Sequence, residues 1–212
     1  MARELEPKCK QCRRQGEKLF LKGERCNSSK CAIVKRNYIP GLHGPKQAGR
    51  PPRLTGYGTQ LREKQKAKKS YRILEKQFKN YYQKAMNQAG ETGDNLYKLL
   101  EMRLDNVIYR SGFATSKNLA RQLVNHGHFE VNGQKVSIPS YQIKIKDKIT
   151  IKANSQKNKA FENLAETLKN AESPQWLNID VKELLITVVD EPNLKAAPVG
   201  LDLKAIIEFY SK

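Results

Sequence analysis

All four cysteines of the chain lie within its first 31 residues, at spacings that suit a metal ion. Two residues separate Cys9 from Cys12, thirteen follow, and four separate Cys26 from Cys31. Four thiolates spaced in this way can close a tetrahedron around Zn²⁺, with Zn–S distances of about 2.3 Å. Because four sulfur ligands leave no open coordination position, we expect one structural Zn²⁺ and no catalytic metal. Two disulfides, four unlinked thiols and an iron–sulfur cluster are the alternatives.

Cationic side chains flank the cysteines and would favour their thiolate forms. Among them are Arg13, Arg14, Lys18, Lys22 and Arg25. His43 could serve as a spare ligand, but it lies twelve residues beyond Cys31, and we expect that it is not one.

The charge of the chain is distributed unevenly. The 212 residues carry a net charge of +19, of which residues 1–90 contribute +17, residues 91–152 contribute +4 and residues 153–212 contribute −2. This gradient predicts a polyanionic partner for the N-terminal side. No stretch approaches 18 continuous apolar residues, and the first residues lack the apolar core of a signal peptide. We therefore expect a cytoplasmic protein with no membrane partner, in a compartment that keeps its thiols reduced.

Two basic segments follow the cysteines. Residues 35–58 are dense in glycine and proline and lack a hydrophobic period, which predicts an extended basic arm. Residues 59–88 place apolar side chains at helical spacing and predict one long amphipathic helix with a basic outer face. The candidate nucleic-acid contacts in this half of the chain are Arg13, Arg14, Lys35, Arg36, Lys46, Arg50, Arg53, Tyr57, Arg62, Lys66, Lys69 and Arg72.

The stretch 102–136 predicts two short helices followed by a hairpin. Gly112 is placed to end the first helix, Thr115 or Ser116 to cap the second, and Gly127 to end it. Asn132-Gly133, between two apolar-containing runs, is the strongest two-residue hairpin signal. Residues 141–151 alternate apolar and polar side chains, as half-buried strands do. Polar side chains are expected to form a separate face of this region, with candidate contacts at Arg103, Asn106, Arg110, Lys117, Arg121, Asn125, His128 and Asn132.

The segments RLDNVIYR, ARQLVNHGH and VNGQKV resemble the alpha-L RNA-binding module of ribosomal and RNA-modifying proteins. The cysteine segment, the basic arm, YGTQLREKQK, LEKQFKNYY and this module occur in the order seen in the bacterial family of small ribosomal subunit protein number four, which the chain resembles over about residues 1–152. The resemblance implies a ribosomal protein that is a primary binder of 16S ribosomal RNA and acts early in subunit assembly. It further implies a place near the messenger entry path, a contribution to decoding accuracy, and contact with small-subunit protein number five. Many relatives lack the cysteines, so the zinc prediction rests on their spacing in this chain.

The predicted fold class is α+β. It comprises an N-terminal zinc knuckle and helical domain with an inserted alpha-L RNA-binding module of two helices and a small antiparallel sheet. We expect the knuckle at residues 1–45, the arm and long helix at 46–101, the module at 102–165, and a C-terminal segment at 166–212 that packs back on the helical domain.

Two other functional classes each fit part of the sequence. An RNA-modifying enzyme that carries the module would need a catalytic domain, which the 60 residues after residue 152 cannot supply, and no catalytic constellation is present. A zinc-dependent regulator that binds nucleic acid would explain the cysteines and the charge, but not the module. We therefore expect a protein that is not an enzyme and has no small-molecule substrate. Messenger RNA is a further candidate partner.

Overall fold

The computed structural model describes residues 4–42, 44, 53–158, 161, 162, 164–169, 173–194 and 200–211. The chain divides into two compact units. The first comprises Met1–Asn95 and Ala197–Lys212, and the second comprises Leu96–Ala196. Helices and one antiparallel sheet are both present, so the predicted α+β class is confirmed at that level. None of the described helices combines the length and the apolar character needed to cross a bilayer.

The cysteine segment of the first unit is built from three short helices, α1 (Lys8–Gln15), α2 (Glu24–Asn27) and α3 (Ala32–Lys35). Gly16 ends α1 in the left-handed conformation at φ 78°, where its N–H donates to the Cys12 carbonyl. Between the helices lies a small core of Cys12, Leu19, Leu21, Cys31 and Ile33. A core this small gives the segment little stability of its own.

Residues 59–88 form two helices, α4 (Gly56–Ser70) and α5 (Glu75–Met86), and the prediction of one long helix is wrong. The break occurs at Arg72, which adopts the left-handed conformation at φ 58°. The Arg72 N–H donates to the Lys69 carbonyl and the Ile73 N–H to the Lys68 carbonyl, which is the Schellman pattern of a helix end. Glycine usually occupies the left-handed position of this motif, so an arginine there gives no sequence signal for the break.

The C-terminal helix α10 (Leu203–Tyr210) packs against α4 within the first unit. Asp202 caps it by accepting a hydrogen bond from the Ala205 N–H at 3.0 Å. The Tyr210 ring stacks on Tyr82 with ring centroids 4.8 Å apart, and its hydroxyl donates to Glu75 at 2.8 Å. Burial alone would raise the pKa of the Glu75 carboxyl, but hydrogen bonds from Lys64, Lys68 and Tyr210 lower it to about 2.

The second unit places helices against a five-stranded antiparallel sheet of order β2-β1-β3-β5-β4. Its core contains side chains fully removed from solvent, among them Leu104, Ile108, Phe129, Ile149 and Ile186. The helices are α6 (Thr92–Glu101), which begins in the first unit, α7 (Leu104–Arg110), α8 (Lys117–Asn125) and α9 (Leu164–Lys169). The strands are β1 (Phe129–Val131), β2 (Gln134–Lys135), β3 (Lys148–Ile151), β4 (Leu177–Asp180) and β5 (Leu185–Val188).

The predicted helix pair and hairpin of this unit are confirmed. Ser116 caps α8 by accepting from the Leu119 N–H at 3.3 Å, and Gly127 follows the helix at φ 71°. Strands β1 and β2 pair across Asn132 and Gly133, which both have positive φ, at 51° and 78°. Positive φ at both central residues is the requirement of a type I′ turn.

Two predicted features of residues 141–212 differ in the structure. Of the alternating residues 141–151, only Lys148–Ile151 form a strand. Before Lys148 the backbone makes other hydrogen bonds: the Ile143 N–H donates to the Met102 carbonyl, and the Lys144 N–H donates to the Asp147 carboxylate. Strands β4 and β5 extend the sheet of the second unit, whereas α10 belongs to the first unit. The segment predicted at 166–212 therefore contributes to both units.

Candidate nucleic-acid interface

The four cysteines line one cavity of about 20 Å³ between α1, α2 and α3. All four are free thiols, with Cys12, Cys26 and Cys31 buried and Cys9 partly so. The Lys22 N–H donates to the Cys26 Sγ at 3.4 Å. Burial raises the pKa of the Cys12 thiol, a backbone hydrogen bond from Leu19 opposes the rise, and the other three cysteines add to it. The thiols are therefore close enough to interact electrostatically.

Within the described ranges, no group of three or more His, Cys, Asp or Glu side chains is arranged so that it could hold a metal ion. The four-thiolate zinc site thus remains a prediction. The disulfide alternative is not what the structure contains, since the four thiols are unlinked. His43, the spare ligand considered above, lies outside the described residues.

A basic concavity of about 840 Å³ opens beside the cysteines. Arg13 is held in place at this concavity: its Nε donates to the Arg36 and Tyr38 carbonyls at 3.1 and 3.0 Å, and its guanidinium lies 4.6 Å from the Tyr38 ring centroid. Glu24 is the acidic residue of the lining. The cationic residues of the lining are Lys10, Arg13, Arg25, Lys30, Lys35 and Arg36. Six cations against one carboxylate make an anion-binding surface.

Sequence reasoning missed part of this concavity. Lys10, Arg25 and Lys30 line it but were not among the predicted contacts. Each lies within four residues of a cysteine. Closeness of a cationic residue to a cysteine was therefore a sequence signal that could have identified these three contacts. Of the predicted contacts nearby, Arg14, Lys35 and Arg36 are exposed and Arg13 is half-buried.

The arm and α4 hold the remaining predicted contacts of the first half. Lys46 and Arg50 lie outside the described residues. Arg53 and Tyr57 are exposed, and the Tyr57 ring lies 5.5 Å from the Phe209 ring. Arg62 and Lys69 are half-buried.

Two of the cations predicted on the outer face of the long helix are buried instead. The Lys66 Nζ donates to the Gly200 carbonyl at 2.7 Å and pairs with Glu17 at 2.8 Å. Arg72 donates from its Nη2 to the Glu4 carbonyl at 2.7 Å. The prediction that they lie on a solvent-exposed basic face is wrong, because the cysteine segment and the C-terminal residues supply carbonyl and carboxylate partners that cover them.

The second unit likewise buries several predicted contacts in a network of ion pairs. The Arg103 Nε and Nη2 donate to the two Asp105 oxygens at 3.0 and 2.8 Å, and the Arg121 Nη1 donates to the same carboxylate at 3.4 Å. Arg103 is fully buried and Arg121 is 7 % exposed. This carboxylate therefore joins α7 to α8.

Glu101 organises a second part of the network. Its carboxylate accepts two hydrogen bonds from Arg110, at 2.8 and 2.7 Å, and one from the Asn106 Nδ2 at 2.9 Å. Lys117 is buried beside it, and burial together with the neighbouring Arg110 lowers the pKa of its amine to about 7. The prediction that Lys117 and Arg121 lie on a separate polar face is wrong. Glu101 was missed, and nothing in its local sequence marks it as a partner for buried cations.

Three predicted contacts in this unit lie outside this network and remain accessible. Asn125 and Asn132 are exposed, and His128 is half-buried, with its Nδ1 3.0 Å from the Ser155 hydroxyl. Burial, and then His126, lowers the pKa of the His128 imidazole. The Asn132 amide is held by Asp147 and by the Lys148 N–H, both at 2.9 Å. The hairpin turn is thus tied to Asp147 and Lys148, where β3 begins.

Two protein-family models match consecutive parts of the chain. Residues 3–101 match the ribosomal protein S4/S9 N-terminal domain, and residues 102–149 match the S4 domain. The chain is 50 % identical over 212 residues to a Clostridioides difficile protein and 47 % identical over 212 residues to one from Nitrosospira multiformis, with full coverage of both chains in each comparison. A Solibacter usitatus protein is 48 % identical over 213 residues, again with full coverage. All three relatives are named small ribosomal subunit protein uS4. With both family models matched in order and about half of its residues identical over full length, the chain belongs to the uS4 family of small ribosomal subunit proteins.

Proposed function

We propose that this protein is a structural constituent of the small ribosomal subunit, where it is a primary binder of 16S ribosomal RNA. The observation that carries the proposal is the six-cation concavity beside the cysteines, in a chain whose residues 1–90 have a net charge of +17 and whose family is ribosomal. Lys and Arg side chains in such a surface neutralise phosphates and release the counterions condensed on them. This family is one of structural ribosomal proteins and not of enzymes.

The two units have different tasks in this proposal. The first unit supplies most of the positive charge, and its concavity contacts phosphates. In the second unit the buried ion pairs fix α7 against α8, so that exposed side chains such as Asn125 and Asn132 are presented in one geometry. RNA helices and junctions are recognised mainly by shape, 2′-hydroxyls and splayed bases. Rigid presentation suits that task and involves no turnover.

The proposal includes a role early in subunit assembly and a contribution to decoding accuracy near the messenger entry path. Both rest on the resemblance to the family. Messenger RNA is included as a further partner on the same ground.

A protein neighbour is proposed for the acidic hairpin region of the second unit. The exposed charged side chains of residues 177–194 are Asp180, Lys182, Glu183, Asp190 and Glu191, four acids against one cation, and one of the acids, Glu191, pairs with Lys98 at 2.7 Å. Such a surface repels phosphates and suits a basic protein patch. Small-subunit protein number five is the neighbour that the resemblance implies.

A structural Zn²⁺ is also proposed, with Cys9, Cys12, Cys26 and Cys31 as the residues that would hold it. In support, the four free thiols line one cavity, which has room for about one water-sized sphere. The Lys22 N–H already points at one of the sulfurs, as a partner that would stabilise a thiolate. When bound, the ion would supply folding energy to a segment whose own core is small.

Footprinting tests the RNA proposal. The full-length protein is titrated onto a 16S ribosomal RNA transcript and onto an unrelated structured RNA of equal length, both at physiological salt. We expect protection of defined 16S positions at protein concentrations that leave the unrelated RNA unprotected. Equal protection of the two RNAs would show that the protein binds RNA through its positive charge and does not recognise the 16S transcript specifically.

A further inference from the structure

Cys9 borders two cavities of the cysteine segment. One is the cavity of about 20 Å³ that it shares with the other three cysteines, and the other is the basic concavity of about 840 Å³. Cys12, Cys26 and Cys31 are not among the described residues that line the concavity, and they are buried, with exposed fractions of 9 %, 8 % and 7 %. Cys9 is partly exposed. A reagent that enters the concavity therefore meets Cys9 first, and the other thiols lie behind it.

The concavity selects for reagents with negative charge. Its lining has six cationic side chains and one carboxylate, that of Glu24. Such a surface raises the association rate of an anion by about tenfold or more. Among molecules that react with thiols, the disulfide of a small acidic peptide is anionic; in glutathione disulfide each half has two carboxylates and one ammonium. A low-mass anionic disulfide is therefore the reagent class that suits Cys9 and its surroundings.

Cys12 is placed to complete a reaction that begins at Cys9. Both residues belong to α1, three positions apart, where helix geometry sets their Cα atoms about 5 Å from each other. Disulfides form at Cα separations of roughly 4.4–6.8 Å. Cys26 lies in α2 and Cys31 directly before α3, so their distance from Cys9 depends on how the short helices pack. Cys12 is thus the thiol that local structure keeps beside Cys9.

We propose that Cys9 is a site of modification by low-mass anionic disulfides, with Cys12 as the resolving thiol. The Cys9 thiolate attacks one sulfur of the reagent, the S–S bond of the reagent breaks, and one half leaves as a thiolate. Cys12, after losing its proton, attacks the Cys9 sulfur of this mixed disulfide and releases the second half. The two cysteines are thereby oxidised to a Cys9–Cys12 disulfide. The reagent is reduced to two thiols, which take up the two protons that the cysteines lost.

The modification changes the surface that is proposed to bind RNA. The mixed disulfide places carboxylates among the six cations of the concavity. The final disulfide moves the Cys12 sulfur within the five-residue core of the segment and withdraws two of the four ligands from the proposed ion. RNA affinity then falls under oxidising conditions and returns on reduction. The thiol chemistry rests on neither proposal above, whereas its consequence for RNA rests on the proposed function.

Peptide mapping of the parent protein tests the order of events. The full-length protein is treated with excess glutathione disulfide, quenched with N-ethylmaleimide at successive times, digested and analysed by mass spectrometry. We expect the first tripeptide adduct on Cys9 and then a Cys9–Cys12 disulfide, at a rate proportional to the reagent concentration. First labelling of Cys26 or Cys31, or equal labelling of all four cysteines, would overturn the proposal. So would a rate independent of reagent concentration, because the reaction would then follow unfolding of the segment.

Charge variants test the part that the concavity plays. The double variant Lys35→Ala, Arg36→Ala removes two exposed cations of the lining. It should lower the rate constant for glutathione disulfide about threefold or more, raise that for the cationic reagent cystamine, and leave that for the neutral reagent hydroxyethyl disulfide unchanged. Lys182→Ala, an exposed lysine of the second unit, is the control and should keep all three rates. Equal changes with all three reagents would mean a disturbed structure and would overturn the role of charge.

Cys12→Ser separates the two chemical steps. The variant should stop at the mixed disulfide, with one tripeptide on Cys9, and dithiothreitol should remove it. An internal disulfide of Cys9 with Cys26 or Cys31 in this variant would overturn the assignment of Cys12. The parent digest reports the same pairing, so the assignment does not depend on how well the variant folds.

Binding of the 16S transcript before and after oxidation tests the consequence. Affinity of the oxidised parent should be about three- to tenfold lower, because the packing that shapes the six-cation concavity is altered, and dithiothreitol should restore it. Unchanged affinity of the fully oxidised protein would overturn the proposed effect on RNA. If the reduced parent does not discriminate the 16S transcript from an unrelated RNA, the ribosomal function fails, and the mapping and rate measurements alone decide the thiol chemistry.

Discussion

Arg103 and Asp105 form a two-point ion pair inside the second unit, with Nε–Oδ1 and Nη2–Oδ2 distances of 3.0 and 2.8 Å and the arginine side chain fully removed from solvent. The two residues are neighbours at the start of α7, where the chain leaves α6. Arg121 of α8 reaches the same carboxylate at 3.4 Å. One buried acid thus pairs with two cations, one at the N-cap of α7 and one in α8. The pair therefore positions the helices and is not available as a phosphate contact.

Asp105→Ala is expected to destabilise the protein severely. Removal of the carboxylate leaves two buried guanidinium groups without their acid, and loss of one partner of a buried pair typically costs about 3–5 kcal/mol. Urea unfolding followed by circular dichroism measures the change. Glu183→Ala, which removes an exposed acid of the same unit, is the control and should shift the free energy of unfolding by less than about 0.5 kcal/mol. A similar small shift for Asp105→Ala would show that the pair does not hold α7 and α8 together.

Gly133→Val is expected to weaken the β1–β2 hairpin through backbone strain alone. A Cβ at Gly133 would meet no atom within 4 Å, but the residue sits at φ +78°, where a β-branched side chain is strained. The expected loss is about 1–2 kcal/mol, the cost of the left-handed conformation for a residue with a Cβ. Gly56→Ala, also with open space but without positive φ, is the matched control. Equal thermal unfolding of the Val variant and the parent would contradict the turn type.

Local features of this fold could be predicted from sequence, because they depend on residues close in the chain. The cap at Ser116, the helix end at Gly127 and the turn at Asn132 and Gly133 each follow from the conformational preference of a residue and its immediate neighbours. The α7–α8 pair follows from apolar periodicity, which shows the side that must be buried. These features lie where they were predicted.

Burial of charged residues could not be predicted in the same way. The periodicity of apolar residues identifies the polar side of a helix, but it does not show which distant segments of the chain pack over that side. Lys66 meets the Gly200 carbonyl 134 residues away, and Arg72 meets the Glu4 carbonyl 68 residues away. Sequence alone also predicts that substitution of Lys117 or Arg121 affects RNA binding with little loss of stability, whereas the structure makes both residues part of the interior.

Lys117 is expected to make stability depend on pH above neutrality. Burial, and then Arg110, lowers the pKa of its amine from 10.5 to about 7 in the folded chain. Between those values the unfolded state binds more protons than the folded state, so the free energy of unfolding rises as pH increases from about 7 to 10.5. Lys117→Met removes this contribution, and its unfolding free energy should rise less than that of the parent over the same range. Urea titrations at pH 7, 8, 9 and 10 measure the difference; Lys79→Met, at an exposed position of α5, should keep the parent slope.

Lys35 and Arg36 are expected to contribute to RNA affinity without contributing to stability. Both are exposed at the rim of the six-cation concavity. The double variant Lys35→Ala, Arg36→Ala should bind the 16S transcript more weakly, and the slope of log affinity against log salt should shrink by somewhat under one unit per lost phosphate contact. Lys182→Ala, an exposed lysine in the acidic hairpin region, should change neither quantity. An unchanged slope in the double variant would show that this rim is solvated and does not meet phosphates.

Removal of metal is expected to unfold the cysteine segment and to spare the second unit. The segment's core consists of five side chains, two of them cysteines, so its folding should depend on the proposed ion. The second unit contains no cysteine and has its own sheet and core. Metal analysis should therefore find about one Zn²⁺ per chain, and Cys26→Ser should lower that content sharply, whereas Ser29→Ala should not.

Amide exchange with and without a chelator locates the effect. Protection should be lost across α1, α2 and α3 and retained in β1, β3 and β5. Affinity for the 16S transcript should fall without vanishing, because the second unit keeps its contacts. The ion pair of Glu17 with Lys66 and the bond from Arg72 to the Glu4 carbonyl tie the segment to α4, so some loss of protection should spread to that helix. Loss of protection throughout the sheet would show that the two units unfold together. A native protein without metal, in which all four thiols titrate freely, would leave the cysteines as ordinary core residues and remove the zinc proposal.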